Sequence, residues 1–179
     1  RTPFFRYTLS YEFFIDGSIK VELDGKIRED AVWLPRLGFE FCLPYNKSRF
    51  SYFGNGPYES YCDMSLHGTV NWHNSDADSE YVPYVRPQEH GNHYNTRALL
   101  IEKSLSFFAE DKMEICVLHN STAAIEKATH TDEITPSPFT HVRIDYKDSG
   151  IGSDSCGSRL DEQYRLSEKD IHFGFTIKL

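Results

Sequence analysis

The chain has 179 residues, of which 39% are hydrophobic and 15% aromatic, and its formal net charge at pH 7 is −8. The acidic balance, without a run of Lys or Arg, excludes the basic surface that nucleic-acid binding requires, and no apolar stretch approaches the roughly 20 residues of a spanning helix. We therefore expect neither nucleic acid nor a membrane as a partner. The length suits a single domain over residues 1–179, and the aromatic content favours packed strands over disorder.

A β-hairpin is predicted at the start of the chain. Polar and apolar residues alternate over residues 6–13 and again over 19–23, with Asp16-Gly17 between the two runs. Asp-Gly favours a tight turn because both residues tolerate positive φ angles. The sequence starts at Arg1, without Met or an apolar leader, so we expect a fragment of a longer chain.

Further strands are predicted in the second half. Residues 105–108 and 113–118 flank the polar triplet 110–112 and predict a second hairpin, and residues 142–146 and 171–177 alternate with period two. Only residues 121–128 are typical of a helix, with Ser121 as the N-cap. The chain is therefore expected to be all-β with one short helix.

Three polar segments, 54–61, 71–80 and 84–97, are predicted to be long loops, which commonly form functional or docking surfaces. The third carries aromatic, amide, carboxylate and imidazole side chains on a backbone stiffened by proline. Such groups suit sugar hydroxyls, although they suit equally a loop that satisfies its own backbone at a domain interface. The candidate carbohydrate contacts are Tyr84, Gln88, Glu89 and His93.

Metal sites and cofactors are not predicted for this chain. His90 and His93 lie beside Glu89, but an H-x-x-H pair without a third ligand from a firm motif is a weak signal. The four cysteines lack a C-x-x-C pair and are expected to be reduced, structural thiols. They are Cys42, Cys62, Cys116 and Cys156.

Catalytic residues are not predicted either. A retaining glycosidase needs two carboxyl groups about 5 to 5.5 Å apart, and no local motif here pairs two of them. The candidates by composition alone are Glu59, Asp63, Glu89 and Asp154. The Gly/Ser-rich segment 149–158 lacks the Lys and the following helix of a phosphate-binding loop. We interpret it as a flexible loop or as one that reaches into a neighbouring site.

Five motifs in chain order resemble one family. Residues 34–41 read LPRLGFEF, residues 52–63 read YFGNGPYESYCD, residues 84–92 read YVRPQEHGN, residues 128–131 read ATHT, and residues 144–155 begin with Ile-Asp and end with GIGSDS. Together they resemble the C-terminal module, or small chain, of glycoside hydrolase family 2 β-galactosidases.

The resemblance implies an antiparallel β-supersandwich of the galactose mutarotase-like type, of which this chain would be a partial module. It implies a non-catalytic domain whose parent hydrolyses terminal β-D-galactosides with retention, using glutamates on a barrel domain. The implied partners are the remaining domains of the parent and, in the intact enzyme, the β-galactoside substrate. Exposed edges of a partial module also predict a homodimer. The alternatives are an autonomous carbohydrate-binding module and a mutarotase-type enzyme.

The resemblance also assigns a substrate-wall loop to Ser153, Asp154, Ser155 and Cys156. In the family a Trp from this loop forms part of the substrate wall, and Cys156 stands where that Trp would be. A thiol is smaller than an indole and offers no stacking face. The aglycone subsite of the parent is therefore expected to be wider, unless another aromatic side chain fills the gap.

Overall fold

The computed structural model describes residues 3–102, 105–135, 137–152 and 159–179. Within these ranges it has nine strands, all paired antiparallel, and one α-helix, α1 (Thr122–Lys127). No helix in the described ranges is long and apolar enough to cross a membrane. The strands are β1 (Phe5–Phe13), β2 (Ile19–Ile27), β3 (Arg36–Pro44), β4 (Arg49–Gly56), β5 (Thr69–Asp76), β6 (Asn92–Ile101), β7 (Leu105–Leu118), β8 (Phe139–Asp148) and β9 (Asp170–Lys178).

The first hairpin, the helix and the last two strands are confirmed. β1 and β2 pair along their whole length, and the turn between them places Gly17 at a φ of 83°. Ser121 caps α1, since its Oγ accepts a hydrogen bond from the backbone N of Ala124 at 3.2 Å. β8 and β9 contain the two alternating segments predicted near the end of the chain.

The second predicted hairpin is wrong, because β7 continues through residues 110–112 without a turn. Its residues 106–109 pair with β9, whereas residues 114–118 pair with β8. The exposed triplet Glu110, Asp111 and Lys112 lies where the strand changes partner. These polar residues therefore mark a fork in the sheet.

The three long loops were also predicted too long. β4 extends to Gly56, β5 includes residues 71–76, and β6 begins at Asn92, so the parts outside the strands are residues 57–61, 77–80 and 84–91. The polar residues inside the strands are exposed on β5 but buried on β6, where Asn92, His93 and Thr96 are inaccessible to solvent. Asn71 and Trp72 on β5, for example, are exposed.

The fork at β7 produces the sandwich. One branch continues through β9 and β2 to β1, and the other continues through β8 to β3, while β6, β4 and β5 extend the sheet on the opposite side of β7. The two branches pack face to face: the ring centroid of Phe39 on β3 lies 5.5 Å from that of Phe175 on β9, and that of Phe41 lies 5.2 Å from that of Phe107. Burial of these apolar faces stabilises the fold, which is the antiparallel β-sandwich predicted from the sequence.

Candidate functional site

A cleft of about 440 Å³ opens beside helix α1, at the ends of β3 and β8. Segments that are far apart in the sequence line it, namely Pro35-Arg36, residues 86–89, residues 148–150 and the first turns of α1. The first two segments belong to motifs that carry the family resemblance, and Gly150 belongs to a third. The fold therefore brings three of the five motifs to one place.

A buried ion cluster forms one wall of this cleft. The Glu89 carboxylate accepts hydrogen bonds from Nη1 and Nη2 of Arg143, at 2.9 and 2.7 Å, and from Nη1 of Arg36 at 2.8 Å. Arg36 also pairs with Asp145, and its Nη2 lies 3.8 Å from an oxygen of Asp148. Bidentate contacts between Arg and a carboxylate fix both distance and orientation. The cluster therefore holds the loop of residues 84–91 against β3 and β8.

The carboxyl group of Glu114, on β7, contacts the backbone of Asp148. Its Oε1 accepts from the backbone N of Asp148 at 3.1 Å, and its Oε2 accepts from Nδ2 of Asn92 at 2.6 Å. Burial, together with the Asp148 carboxylate, raises the pKa of Glu114 to about 8. Burial also raises the pKa of Asp148 to about 7, although the Arg36 guanidinium opposes the shift. The site therefore holds protons at pH values where surface carboxyl groups have lost theirs.

Asp63 holds the turn that follows β8. Its Oδ1 accepts from the backbone N of Ile151 at 3.2 Å, and its Oδ2 accepts from that of Gly152 at 2.9 Å. Gly150 has a φ of 79°, and a Cβ placed there would lie 2.6 Å from the Asp63 carboxylate. Both the dihedral angle and the close approach require glycine. The predicted substrate-wall residues, Ser153, Asp154, Ser155 and Cys156, lie outside the described residues.

The four candidate carbohydrate contacts have different surroundings. Gln88 is exposed and lines the cleft, and Glu89 lines it while bound by both arginines. Tyr84 donates to Glu59, whose other carboxylate oxygen accepts from the backbone N of Gly91 at 2.9 Å. His93 is fully buried; its Nε2 lies 2.9 Å from Oε2 of Glu80, and its ring stacks on Tyr52 with centroids 4.1 Å apart. The structure thus brings Gln88 and Glu89 together at the cleft, and sugar contact by the four stays a prediction.

The structure also shows the state of the described cysteines and carboxylates that were candidates from the sequence. Cys42, Cys62 and Cys116 are free, and Cys116 is buried, whereas Cys156 and Asp154 are outside the described residues. Glu59, Asp63 and Glu89 each accept the hydrogen bonds given above. In the described part of the chain these three carboxylates therefore serve to position loops.

The sequence analysis missed Arg143, Glu114 and the clustering of Arg36 with Asp145. Arg143 and Asp145 alternate with apolar residues on β8, a pattern that usually indicates a solvated face. Here that face lies beneath the loop of residues 84–91, and the two side chains are only 6% and 4% exposed. The presence of Arg36, Glu89 and Asp145 in three separate motifs was the one available signal.

Comparison with known proteins shows that the chain is similar to one part of β-galactosidases. The family model described as "Beta galactosidase small chain" matches residues 1–177. The chain is 31% identical over 174 residues to a β-galactosidase of Staphylococcus xylosus, covering 96% of this chain and 18% of that protein. It is 33% identical over 169 residues to a β-galactosidase of Actinobacillus pleuropneumoniae, covering 94% of this chain and 17% of the relative. The chain thus spans less than a fifth of the length of these relatives.

Proposed function

The chain belongs to the β-galactosidase small-chain family, and from that premise we propose that it is a non-catalytic domain of a β-galactosidase. In this proposal it packs against the remaining domains of the enzyme and presents a loop near the active site. The catalytic carboxylates lie on another domain, and the parent hydrolyses terminal β-D-galactosides with retention of configuration. The relatives are long enough to contain a separate catalytic domain, because this chain matches only 17% or 18% of their length.

The observation that carries the proposal is the convergence of family motifs on the cleft. The ion cluster fixes residues 84–91, and Asp63 fixes residues 150–152, immediately before the predicted substrate-wall loop. Supporting contacts of this kind hold a binding loop in a defined position. The carboxylates involved have their hydrogen-bond partners inside the domain, which favours positioning over acid–base chemistry.

Hydrolysis of a chromogenic β-galactoside tests the non-catalytic role. The purified chain and a full-length relative are assayed side by side, with buffer as the blank. We expect turnover by the full-length enzyme alone, and NMR of its product should show the β-anomer first. Activity that stays with the purified chain through repeated purification would overturn the proposal.

The substrate-wall loop is tested in the whole parent enzyme by Cys156→Trp. An indole at this position restores the stacking face, so we expect a lower KM for aryl β-galactosides. Cys156→Ser is the matched control, because it keeps the side chain small and should leave KM unchanged. Equal KM values for both variants across several galactosides would contradict a role of this loop in the substrate wall.

An autonomous carbohydrate-binding module is the second candidate. It is favoured by the exposed Gln88, which shares the cleft with Trp33, an indole that is 39% exposed. NMR titration of the chain with galactose and lactose separates the two candidates. Saturable shifts at Gln88 and Trp33 would favour the module, and their absence would favour the accessory domain.

A homodimer of this chain forms a further part of the proposal. Tyr7, Tyr11 and Phe13 on the edge strand β1 are 60%, 55% and 73% exposed, and β1 pairs on one side only within the described sheet. An edge strand with exposed aromatic side chains favours pairing with a second copy. Light scattering over a concentration series should show dimers, and a monomer at high concentration would count against them.

A further inference from the structure

Three side chains with metal-binding atoms meet on the outer face of the β3–β8 pair, next to the ion cluster of the cleft wall. They are Glu40, Cys42 and His141, and one ligand atom from each lies within 4.8 Å of the other two. We propose that these three residues form a binding site for Zn²⁺. The proposal departs from the expectation that the chain holds no metal, and it is independent of the proposed function.

The antiparallel register brings the three residues together. Cys42 on β3 is directly opposite His141 on β8, and Glu40 lies two residues before Cys42 on the same face of β3. The intervening residues Phe39 and Phe41 point to the core. The site therefore rests on the strand alternation that builds the sandwich.

The distances suit a tetrahedral ion after a small adjustment. The Sγ of Cys42 lies 3.7 Å from Nδ1 of His141, which is close to the roughly 3.5 Å that Zn–S and Zn–N bonds give at a tetrahedral angle. The Oε1 of Glu40 lies 2.8 Å from the same Nδ1. That carboxylate must withdraw by about half an ångström. Its side chain is 35% exposed, so it has room to move.

The nearest arginine leaves the ligand atoms available, and Thr122 donates to Oε2 of Glu40 at 3.4 Å, not to the Oε1 that faces His141. Arg143 is opposite Glu40 in the register, yet its guanidinium is turned to Glu89 and Thr122. The charge of Glu40 is therefore not neutralised by the nearest arginine.

The imidazole of His141 has the outer partner that metal-binding histidines usually have. Its Nε2 lies 2.8 Å from Oγ of Ser137, and that Oγ accepts from the backbone N of Phe139 at 3.2 Å. Metal binding would replace the proton that Nδ1 shares with Glu40, and a proton on Nε2, donated to Ser137, would leave the Nδ1 lone pair for the ion. The ring itself is 91% buried, which fixes its orientation.

The donor set points to zinc. Thiolate and imidazole suit Zn²⁺, whereas Mg²⁺ and Ca²⁺ require oxygen ligands. A second group in the described residues, Glu22, Glu110 and His172, lacks sulfur, and Nζ of Lys20 lies 2.9 and 3.7 Å from its two carboxylates. That ammonium group already provides a positive charge beside the carboxylates of Glu22 and Glu110.

A metal ion bound by Glu40, Cys42 and His141 would cross-link β3 to β8. β3 pairs only with β8 among the described strands, so an ion bound by both strands stabilises the edge of this branch. Three protein ligands leave one coordination position open toward solvent, as Cys42 is exposed.

Titration of the reduced, metal-free chain with Zn²⁺ tests the site, with Co²⁺ as a spectroscopic substitute. We expect one equivalent of Zn²⁺ to bind, to raise the melting temperature, and to compete with Co²⁺. The Co²⁺ form should show thiolate-to-metal charge-transfer absorption. Cys42→Ser should abolish that absorption, and Ser137→Ala should weaken Zn²⁺ binding about tenfold by releasing the imidazole.

Two control variants separate this site from other metal-binding groups. Cys62→Ser removes a thiol elsewhere, and His172→Gln removes an exposed imidazole from the second group, so both should bind Zn²⁺ as the unaltered chain does. The proposal is overturned if no saturable binding occurs or if Cys42→Ser binds normally. Loss of binding in His172→Gln alone would likewise overturn it. Because Cys42 is exposed, its variant tests the site even if His141→Gln fails to fold.

Discussion

The two branches that leave β7 share one apolar core but differ in what lies outside it. The branch β9–β2–β1 ends in a regular hairpin whose outer residues are exposed, with ion pairs near the surface such as that of Lys26 and Asp170, 3.6 Å apart. The branch β8–β3 carries loops over its outer face and buries Arg143 and Asp145 beneath them, where Arg143 pairs with Glu89 of the loop. The fold thus separates a branch that needs only apolar packing from one that also depends on buried charge.

This difference indicates why three of the family motifs lie on or against the branch β8–β3. Buried ion pairs often add little net stability compared with apolar replacements, but they are strongly destabilising when one partner is lost. Their value here is positional, because they connect residues 84–91, β3 and β8, which belong to separate motifs. Substitutions in each branch test this difference.

The largest effect is expected from Arg143→Met. It removes the bidentate partner of Glu89, which keeps only its contact with Arg36. Loss of one partner from a buried pair destabilises by about 3 to 5 kcal/mol. Urea unfolding measures the change. The control is Arg6→Met on β1, an exposed position in the other branch, where a change within about 0.5 kcal/mol is expected. Equal losses for both variants would remove the contrast between the branches.

Glu114→Gln should flatten the dependence of stability on pH. Folding raises the pKa of Glu114 from 4.5 to about 8, so the folded chain binds the proton more tightly. Its contribution is fully present below about pH 4.5 and is lost as the pH rises through 8, by about 1.4 kcal/mol for each pH unit between the two pKa values. Asp148, with a pKa raised to about 7, adds a smaller loss of the same sign.

Unfolding free energies of the unaltered chain and of Glu114→Gln, measured at intervals from pH 4.5 to 9, check this prediction. The variant should fall less steeply, because Gln cannot ionise. Asp111→Asn is the control, since Asp111 is exposed on the same strand and should leave the slope unchanged. Parallel curves for Glu114→Gln and the unaltered chain would show that Glu114 titrates normally.

Gly17 and Gly150 both have a positive φ, so substitutions at these two positions compare one residue in each branch. At Gly17, φ is 83° and, among the described residues beyond its two chain neighbours, no atom lies within 4 Å of an added Cβ, so Gly17→Ala should destabilise by about 1 kcal/mol through backbone strain alone. At Gly150 the same strain adds to contact with Asp63, so Gly150→Ala should destabilise by about 2 to 3 kcal/mol. Thermal unfolding of both variants gives the difference, and Gly150→Ala combined with Asp63→Ala should recover part of it.

The sequence predicted the hairpin branch better than the charged branch, for a physical reason. Alternation and the Asp16-Gly17 turn are local signals, and each specifies β1 and β2 without reference to the rest of the chain. The fork at residues 110–112 is not local, because an exposed polar triplet is equally compatible with a turn and with a strand between two partners. Pairing of Cys42 with His141 and of Arg143 with Glu89 depends on register and loop placement, which composition and period do not contain.

The smallest effect on stability is expected at the exposed end of the hairpin branch. Tyr11 on β1 is 55% exposed, so Tyr11→Thr, which keeps a good strand former, should change the free energy of unfolding by less than about 0.5 kcal/mol. Its effect on self-association should be larger, because the aromatic surface on the edge strand is reduced. Light scattering and urea unfolding of the same samples separate the two quantities. Weaker dimers at unchanged stability would show that this branch tolerates surface change freely, whereas a loss of stability comparable to that of Arg143→Met would mean that both branches depend on their outer faces alike.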